Sequence, residues 1–345
     1  MAHLTVYGLG NRGRDVVDQL LAKGQQISMI FDRAGLATTY RGIPVRNLDD
    51  PEAAAMAADS NCLIALHNSY VDIKAVHYRL KSLNSTTISL INADSHGLRI
   101  DVNAGYWLNK KAPGFIITEE DAIFIRGILA DEKSRTLFDA LKRYRETGDL
   151  AECPIPSTTD EYTPGDLPRY PEPVNLLDCG AYDGSTYRKF ARTYSLNCYI
   201  GVEPDPENFA RLQTNEFTSG VTTILLPIGA WHRSEVLRFQ MGKKMGSSID
   251  ASGEAIIQCA AIDDVIKYSS VNVVKLDVEG AEAAALLGMR SLVRQHRPSL
   301  AVSVYHRPED LVAITRMLHD WRLGYQFFLR MHEHNAFGTV LYARP

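Results

Sequence analysis

The chain has few cysteines, no long apolar run and no excess of either charge. Its five cysteines among 345 residues are odd in number and scattered, and none are spaced as Cys-x-x-Cys. This usage is typical of reduced thiols and excludes a disulfide framework and a zinc knuckle. No apolar run approaches membrane length, and a net charge of −4 gives no support for binding to nucleic acid. We therefore expect a cytoplasmic protein with neither a membrane span nor a nucleic-acid partner.

Prolines are sparse except in one segment. Six of the fifteen prolines lie in CPIPSTTDEYTPGDLPRYPEP, residues 153–173. Proline at this density excludes a helix interior and a central strand, because it lacks a backbone N–H and fixes its own φ. The segment is therefore expected to be a connector. A helical pattern that opens with the capping-box-like Thr118–Asp121 precedes it.

The beginning of the chain carries the full pattern of a dinucleotide-binding turn. A β-rich run at residues 4–7 leads into Gly8-x-Gly10-x-x-Gly13, apolar residues then recur at helical spacing, and Asp32 ends a second apolar run. In Rossmann folds the glycines bring a phosphate to a helix N-terminus, and the acid binds ribose hydroxyls. The pattern predicts a Rossmann-like domain whose turn either binds a nucleotide or is an empty or repurposed site.

A second glycine turn, NLLDCGAYDGST at residues 175–186, is acidic, unlike the turn at the beginning of the chain. The turn carries Asp178 and Asp183, and the next predicted strand, CYIGVEP, ends on Glu203. TTILLPIGAW predicts a third strand. A fourth predicted strand, VNVVKLDVEG, ends at Asp277. The carboxyl ends of parallel strands line one crevice, and ligands bind there. Carboxylates at that edge repel a pyrophosphate, and they favour a ligand that is cationic at one end and carries a ribose.

S-adenosylmethionine meets both demands, because it has an ammonium, a sulfonium and a ribose but no phosphate. Glu203 offers two acceptor oxygens to the ribose hydroxyls, and either Trp231 or Tyr182 is expected to cover the adenine. Asp178 and Asp183 have an alternative interpretation as turn and N-cap residues. The predicted cofactor contacts are Asp178, Gly180, Tyr182, Asp183, Gly184, Glu203, Pro204, Ala230, Trp231 and Asp277.

Four segments of the second half resemble FkbM-type methyltransferases, which are class I enzymes that use S-adenosylmethionine and often O-methylate sugars or polyketide-derived rings. They are LLDCGAYDGST, YIGVEPDPENFARL, VVKLDVEGAEAAALLG and LAVSVYHRPEDL, and the bridge LADEKSRTLFDALKRYRETGD is similar to that of two-domain members. The resemblance implies cofactor contacts at Asp178, Gly180, Gly184, Glu203 and Asp277. Many members carry Asn where this chain has Tyr182, so the substrates of known members do not carry over.

Methyl transfer to a hydroxyl requires alignment of the two groups and loss of a proton. His306 follows an apolar run that ends at the same predicted edge, and we predict that it is the general base in its neutral form. Asp277, Glu279 and water are the alternatives. His332 and His334 share one strand face, but no third ligand is identifiable by spacing, so no metal site is predicted.

The sequence thus predicts an α/β chain of two Rossmann-like domains, the second a class I methyltransferase fold. The predicted division is a nucleotide-binding-type domain at 1–105, a helical bridge with the Pro-rich connector at 106–170, and the methyltransferase domain at 171–345. The resemblance implies O-methylation of a sugar, glycan or secondary metabolite, and we expect a small-molecule or glycan acceptor in free or nucleotide-linked form. Two alternatives stay open, an NAD(P)-dependent oxidoreductase that uses the N-terminal Gly8-x-Gly10-x-x-Gly13 turn and a non-catalytic protein that binds a glycan or nucleotide sugar. No pattern indicates the oligomeric state.

Overall fold

The computed structural model describes residues 3–33, 38–240, 248–249, 253–267 and 270–345. It contains two compact units, each assembled from separate stretches of the chain. Unit 1 comprises Met1–Thr118, Thr136–Pro156 and Glu333–Phe337, and unit 2 comprises Glu119–Arg135, Ser157–His332 and Gly338–Pro345. Among the described residues, no helix has both the length and the apolar character that crossing a bilayer requires.

Unit 1 is built on a six-stranded sheet with the order β3-β4-β2-β1-β5-β6. Its strands and helices are β1 (Leu4–Tyr7), α1 (Asn11–Ala22), β2 (Ile27–Phe31), β3 (Thr39–Tyr40), β4 (Ile43–Arg46), α2 (Pro51–Ala57), β5 (Asn61–Ile64), α3 (Ile73–Lys81), β6 (Thr86–Ser89), β7 (Asn103–Gly105) and β8 (Leu108–Asn109). Strand β1 pairs in parallel with β2 on one side and β5 on the other. The strand order therefore reverses beside β1, which is where open parallel sheets form a ligand crevice.

Two helices follow these strands, α4 (Glu119–Ile128) and α5 (Glu132–Thr147). Helix α4 begins with three consecutive acids, which interact favourably with the positive end of the helix dipole. Among the described residues, short 3₁₀ helices also lie at Ala93–His96 and Leu150–Glu152.

Unit 2 contains a seven-stranded sheet with the order β11-β10-β9-β16-β17-β19-β18. The elements of this part of the chain are β9 (Val174–Cys179), α6 (Ser185–Thr193), β10 (Leu196–Val202), α7 (Pro206–Gln213), β11 (Thr222–Leu226), β12 (Gly229–Trp231), β13 (Glu235–Gln240), β14 (Ser248–Ile249), β15 (Ala255–Ala261), α8 (Ile262–Val265), β16 (Val273–Leu276), α9 (Glu282–Gly288), α10 (Arg290–His296), β17 (Ser299–Ser303), α11 (Asp310–Asp320), β18 (Gln326–Met331) and β19 (Thr339–Arg344). Strands β11, β10, β9, β16 and β17 are parallel, and β19 pairs antiparallel with β17 and β18. The prediction of a mixed α/β chain with parallel sheets is confirmed.

The predicted third strand TTILLPIGAW is wrong as a single element. Strand β11 pairs with β10 at the edge of the large sheet, whereas β12 pairs with β15 in a separate sheet of order β12-β15-β13-β14. Pro227 lies between the two strands. Because proline cannot donate to a strand ladder, the chain leaves the large sheet at this residue.

The central strands of unit 2 are buried, which explains their continuous apolar sequences. Leu176 and Leu177 of β9 and Val274 of β16 are fully buried. Two charged residues interrupt β9 and β16, Asp178 and Lys275, and both lie near the carboxyl ends of their strands. Since β9, β10, β16 and β17 are parallel, their carboxyl ends share one edge of the sheet, and the candidate site lies there.

Candidate active site

The turn after β9 requires its two glycines. Gly180 has φ +78°, and an ideal Cβ on it would lie 1.8 Å from the carbonyl oxygen of Asp277. Gly184, the N-cap of α6, has φ +82°, and its Cβ would lie 2.6 Å from the side-chain nitrogen of Asn215. Tyr182 between them also has a positive φ of 50°. The turn therefore passes so close to the end of β16 that a side chain at residue 180 has no space.

Glu203 joins this turn to the end of β10. Its Oε2 accepts the backbone N–H of Tyr182 and its Oε1 accepts that of Asp205, both at 2.9 Å. The residue is 5% exposed, and burial raises the pKa of its carboxyl group against the opposing effect of these N–H donors. The Asn208 side chain also hydrogen-bonds this carboxylate, and acceptor capacity for a further donor remains, because the two oxygens offer about four acceptor sites. Pro204 follows, and Asp205 caps α7 through its side chain.

The side chain of Asp178 is enclosed by partners from neighbouring strands. Its side chain is fully buried, with Lys275 Nζ 3.1 Å from Oδ1 and the Tyr199 hydroxyl donating to Oδ2 at 3.1 Å. Lys275 Nζ also donates to the carbonyl oxygens of Gly180 at 2.6 Å and Cys179 at 3.3 Å. A carboxylate enclosed in this way supports the glycine turn through Lys275. The hypothesis that Asp178 contacts the cofactor directly is not supported by this geometry.

The charges of this buried pair depend on each other. Burial raises the pKa of Asp178, and the Lys275 ammonium partly offsets that effect. Burial lowers the pKa of Lys275, but the carboxylates of Asp178 and Asp277 outweigh it, so that the pKa is raised overall. Lys275 is therefore a permanent cation beneath the candidate site.

Asp183 is engaged within its own turn. Oδ1 accepts the backbone N–H of Ser185 at 3.0 Å, and Oδ2 lies 3.2 Å from an Arg188 guanidinium nitrogen. Arg188 also donates to the carbonyl oxygen of Asp183 at 2.9 Å. These contacts favour the alternative interpretation of Asp183 as a turn residue, because the ion pair already balances its charge.

The structure brings His306, Asp277 and Glu279 together. His306 lies past the end of β17, and its Nε2 is 3.5 Å from Asp277 Oδ1 and 3.6 Å from Glu279 Oε1. Its Nδ1 is 2.9 Å from Glu282 Oε1. The Tyr162 hydroxyl donates to the second oxygen of Asp277, Oδ2, at 2.9 Å. Three carboxylates thus surround one imidazole at the edge where β16 and β17 end.

This environment changes the predicted role of His306. Burial lowers its pKa, but the carboxylates of Glu282 and Glu279 outweigh burial and raise the pKa well above the usual value. These contacts favour the protonated imidazole, which cannot accept a further proton. Burial raises the pKa of Glu279, whereas for Asp277 the effect of burial is outweighed by Lys275 and His306, so its pKa is lowered. The prediction of a neutral imidazole base conflicts with these contacts.

Glu282, Tyr162 and Lys275 belong to the site and are missed by the sequence reasoning. Glu282 is fully buried at the start of α9, where its carboxylate accepts the backbone N–H groups of Val278 at 2.8 Å and Gly280 at 3.0 Å. A lysine inside an apolar strand is a readable signal, because a buried ammonium needs a partner. Tyr162 lies in the connector and carries no such signal.

A metal ion has a conceivable position here, because Asp277, Glu282 and His306 each offer a ligand atom and these atoms lie within 4.8 Å of one another. Their contacts are those of an imidazolium held by carboxylates, and this pairing accounts for the grouping. We assign no metal to it. His332, considered in the sequence as half of a metal pair, has its Nδ1 3.1 Å from the Thr159 carbonyl oxygen and its Nε2 2.8 Å from the Tyr342 hydroxyl.

Ala230 and Trp231 lie on β12, in the smaller sheet. Ala230 is buried, and the half-buried Trp231 donates its indole N–H to Glu235 Oε1 at 2.6 Å. An ideal Cβ on Gly288 of α9 would lie 1.8 Å from the Trp231 carbonyl oxygen, so the helix packs closely on this strand. A role of Trp231 in covering the adenine stays a prediction.

The glycine turn of unit 1 joins β1 to α1. Gly8 has φ +102°, and an ideal Cβ on Gly13 would lie 2.0 Å from the Gly8 carbonyl oxygen, so helix α1 packs directly on the turn. Gly10 has no neighbouring atom within 4 Å of its Cβ position. Asp32 Oδ2 accepts the backbone N–H of Leu9 at 2.6 Å. The packing explains Gly8 and Gly13, and the space beside Gly10 is where a ligand could approach the backbone.

Comparison with known proteins identifies part of the chain. Residues 178–327 match the family model of the methyltransferase FkbM domain. No curated protein matches the chain. The crystal structure of methyltransferase FkbM from Methylobacillus flagellatus KT matches with a TM-score of 0.75 and 22% identity, over 99% of this chain and 90% of that chain. At this identity the structural likeness shows the fold. The chain carries an FkbM-type methyltransferase domain, which confirms the resemblance seen in the sequence.

Proposed function

We propose that unit 2 is a class I methyltransferase that transfers a methyl group from S-adenosylmethionine to a hydroxyl oxygen. The observation that carries this proposal is Glu203. It is a carboxylate with acceptor capacity left over, held by backbone N–H groups at the end of β10 and directly beside the glycine turn. A ribose offers two vicinal hydroxyl donors that match such a carboxylate.

The charges of the site favour the same cofactor. Asp277 stays ionised next to the turn, and Glu279 and Glu282 are two further carboxylates near it. The imidazolium of His306 balances only part of this negative charge. An excess of negative charge attracts an ammonium or a sulfonium and repels a pyrophosphate. An oxidoreductase that binds NAD(P) at this edge is therefore not favoured.

The chain itself must align the acceptor and remove its proton. Bound S-adenosylmethionine supplies an already activated methyl group, so alignment and exclusion of water account for most of the catalysis required. We propose Glu279 as the proton acceptor, because burial raises the pKa of its carboxyl group and a stronger base is a better catalyst near neutrality. Its side chain is 16% exposed and within 3.6 Å of His306 Nε2, so the imidazolium holds it in place.

The acceptor and the role of unit 1 are further parts of this proposal. We propose an acceptor hydroxyl on a sugar, glycan or secondary metabolite, in free or nucleotide-linked form, and we propose separately that the turn at Gly8, Gly10 and Gly13 binds a nucleotide. We also propose the division that the glycine turns and the Pro-rich segment indicate: a Rossmann-like domain at 1–105, a bridge and connector at 106–170 and a methyltransferase domain at 171–345. We propose a cytoplasmic location because the cysteines are few and scattered.

A transfer assay tests the reaction. The whole chain is incubated with S-adenosylmethionine labelled in its methyl group and with a panel of free sugars, nucleotide sugars and glycan extracts. We expect label in one acceptor class, a rate about 10²–10⁴-fold lower for Glu279→Gln, and an unchanged rate for Glu207→Gln, which alters an exposed residue of α7. Binding of S-adenosylmethionine without any labelled acceptor would instead support the non-catalytic alternative.

A further inference from the structure

A tyrosine of the Pro-rich connector reaches the candidate site. Tyr162 lies within residues 153–173, is 4% exposed and has a positive φ of 66°. Its hydroxyl donates to Asp277 Oδ2 at 2.9 Å and lies 3.4 Å from the Ser303 hydroxyl. The connector therefore does more than join two parts of the chain, since it supplies a hydrogen-bond donor to the strand edge.

Two other tyrosines hold the backbone of Tyr162 in place. Its N–H donates to the Tyr342 hydroxyl at 3.1 Å, and its carbonyl oxygen accepts the Tyr170 hydroxyl at 2.6 Å. The Tyr342 hydroxyl is in turn 2.8 Å from His332 Nε2. A left-handed backbone is unfavourable for an aromatic residue and persists where surrounding contacts enforce it, most often at functional sites. Both backbone polar groups of Tyr162 are fixed, so its hydroxyl has little freedom.

We infer that Tyr162 is a positioning residue of the methyltransferase site, which fixes the rotamer of the Asp277 carboxylate and leaves Oδ1 to face His306. This inference rests on the proposed function of the same site. With one oxygen held by Tyr162 at 2.9 Å, the carboxylate cannot rotate without losing a hydrogen bond to a charged acceptor. The donor also favours the ionised carboxylate, which the cationic cofactor requires.

Several charged and titratable groups face Asp277 besides Tyr162, and the test must separate their effects. Lys275 comes from the same strand and Asp178 from β9. His306 follows β17, and Glu279 and Glu282 follow β16. Asp310 begins α11, where burial raises its pKa to about 7 and it interacts with Glu282 and His306. All of them interact electrostatically with Asp277 or with its imidazole partner. Substitution of Tyr162 by Phe leaves these charges in place and removes one neutral donor.

The test measures the affinity for S-adenosylmethionine by calorimetry from about pH 3, below the usual pKa of an aspartate, to about pH 8.5 in the wild-type chain, Tyr162→Phe and Tyr325→Phe. Tyr325 is the matched control, because its hydroxyl donates to the Pro298 carbonyl oxygen at 2.8 Å and has no contact with the site. We expect the loss of affinity on the acid side to occur about one pH unit higher in Tyr162→Phe, with affinities at pH 8.5 within about threefold of wild type. Tyr325→Phe should follow the wild-type curve.

A double-mutant cycle shows whether the effect passes through Asp277. In the Asp277→Asn chain, adding Tyr162→Phe should change the affinity less than about twofold. A merely structural role would give superimposable pH curves in the single variant, and this would overturn the inference. If Tyr162→Phe fails to fold, Tyr342→Phe provides the same test, since it releases the Tyr162 N–H and should shift the curve in the same direction. A wild-type chain that binds no S-adenosylmethionine at any pH would contradict the proposed function itself.

Discussion

The buried pair between Lys275 and Asp178 gives a prediction that is independent of any ligand. Lys275→Met removes the ammonium 3.1 Å from Asp178 Oδ1 and the donor to the Gly180 carbonyl oxygen, and it leaves the Tyr199 hydroxyl as a remaining partner of the carboxylate. Removal of one member of a buried ion pair costs about 3–5 kcal/mol, because the other charge stays buried. We expect the free energy of unfolding of unit 2 to fall by about that amount.

The assay is urea denaturation, followed by the fluorescence of Trp231 and Trp321 with Trp107 substituted. Lys133→Met is the control, since Lys133 is 71% exposed in its pair with Asp166 and an exposed pair contributes about 0–1 kcal/mol. Lys275→Met combined with Asp178→Asn should be more stable than Lys275→Met alone, because the buried charge is gone. A single variant that loses less than about 1 kcal/mol, or a double variant less stable than the single one, would refute the reasoning.

Three further predictions concern single residues. Gly180→Ala should destabilise the chain by about 1–3 kcal/mol in urea and abolish measurable S-adenosylmethionine binding, because its Cβ would lie 1.8 Å from the Asp277 carbonyl oxygen. Glu203→Ala should weaken calorimetric S-adenosylmethionine binding by about 1.5–3 kcal/mol, whereas Glu207→Ala should leave it unchanged. Burial lowers the pKa of His332 from 6.5 to about 4. On acidification the unfolded chain therefore binds a proton at His332 before the folded chain does. The free energy of unfolding should consequently decrease as pH falls from 6.5 to about 4, and this decrease should be smaller in His332→Gln.

The glycine turns and strand ends are the part of the site that the sequence predicts well. Gly180 and Glu203 can be assigned because parallel strands place their carboxyl ends at one edge, whatever the packing of the rest. Asp178 is assigned to the right place, but its enclosure is not predicted, because its partner Lys275 lies about 100 residues away in the chain and on a neighbouring strand.

Residues brought in by tertiary structure are the part that the sequence does not reveal. Tyr162 comes from a connector whose prolines exclude regular structure but do not indicate its path. The protonation state of His306 depends on Glu282 and Glu279, which reach it from a different loop and helix, so the strand pattern alone cannot set its pKa. The division of the predicted third strand at Pro227 was visible as a proline in an apolar run, but the second sheet that receives β12 was not.

The central claim is tested most directly by titrating the whole wild-type chain with S-adenosylmethionine in a calorimeter, with NADH as the comparison ligand and Glu203→Ala as the site control. The account predicts one S-adenosylmethionine bound per chain and an affinity lowered about tenfold or more by Glu203→Ala. It also predicts that Glu203→Ala leaves any NADH binding unchanged. A folded wild-type chain that binds no S-adenosylmethionine, or binds it equally well as Glu203→Ala, would contradict the account.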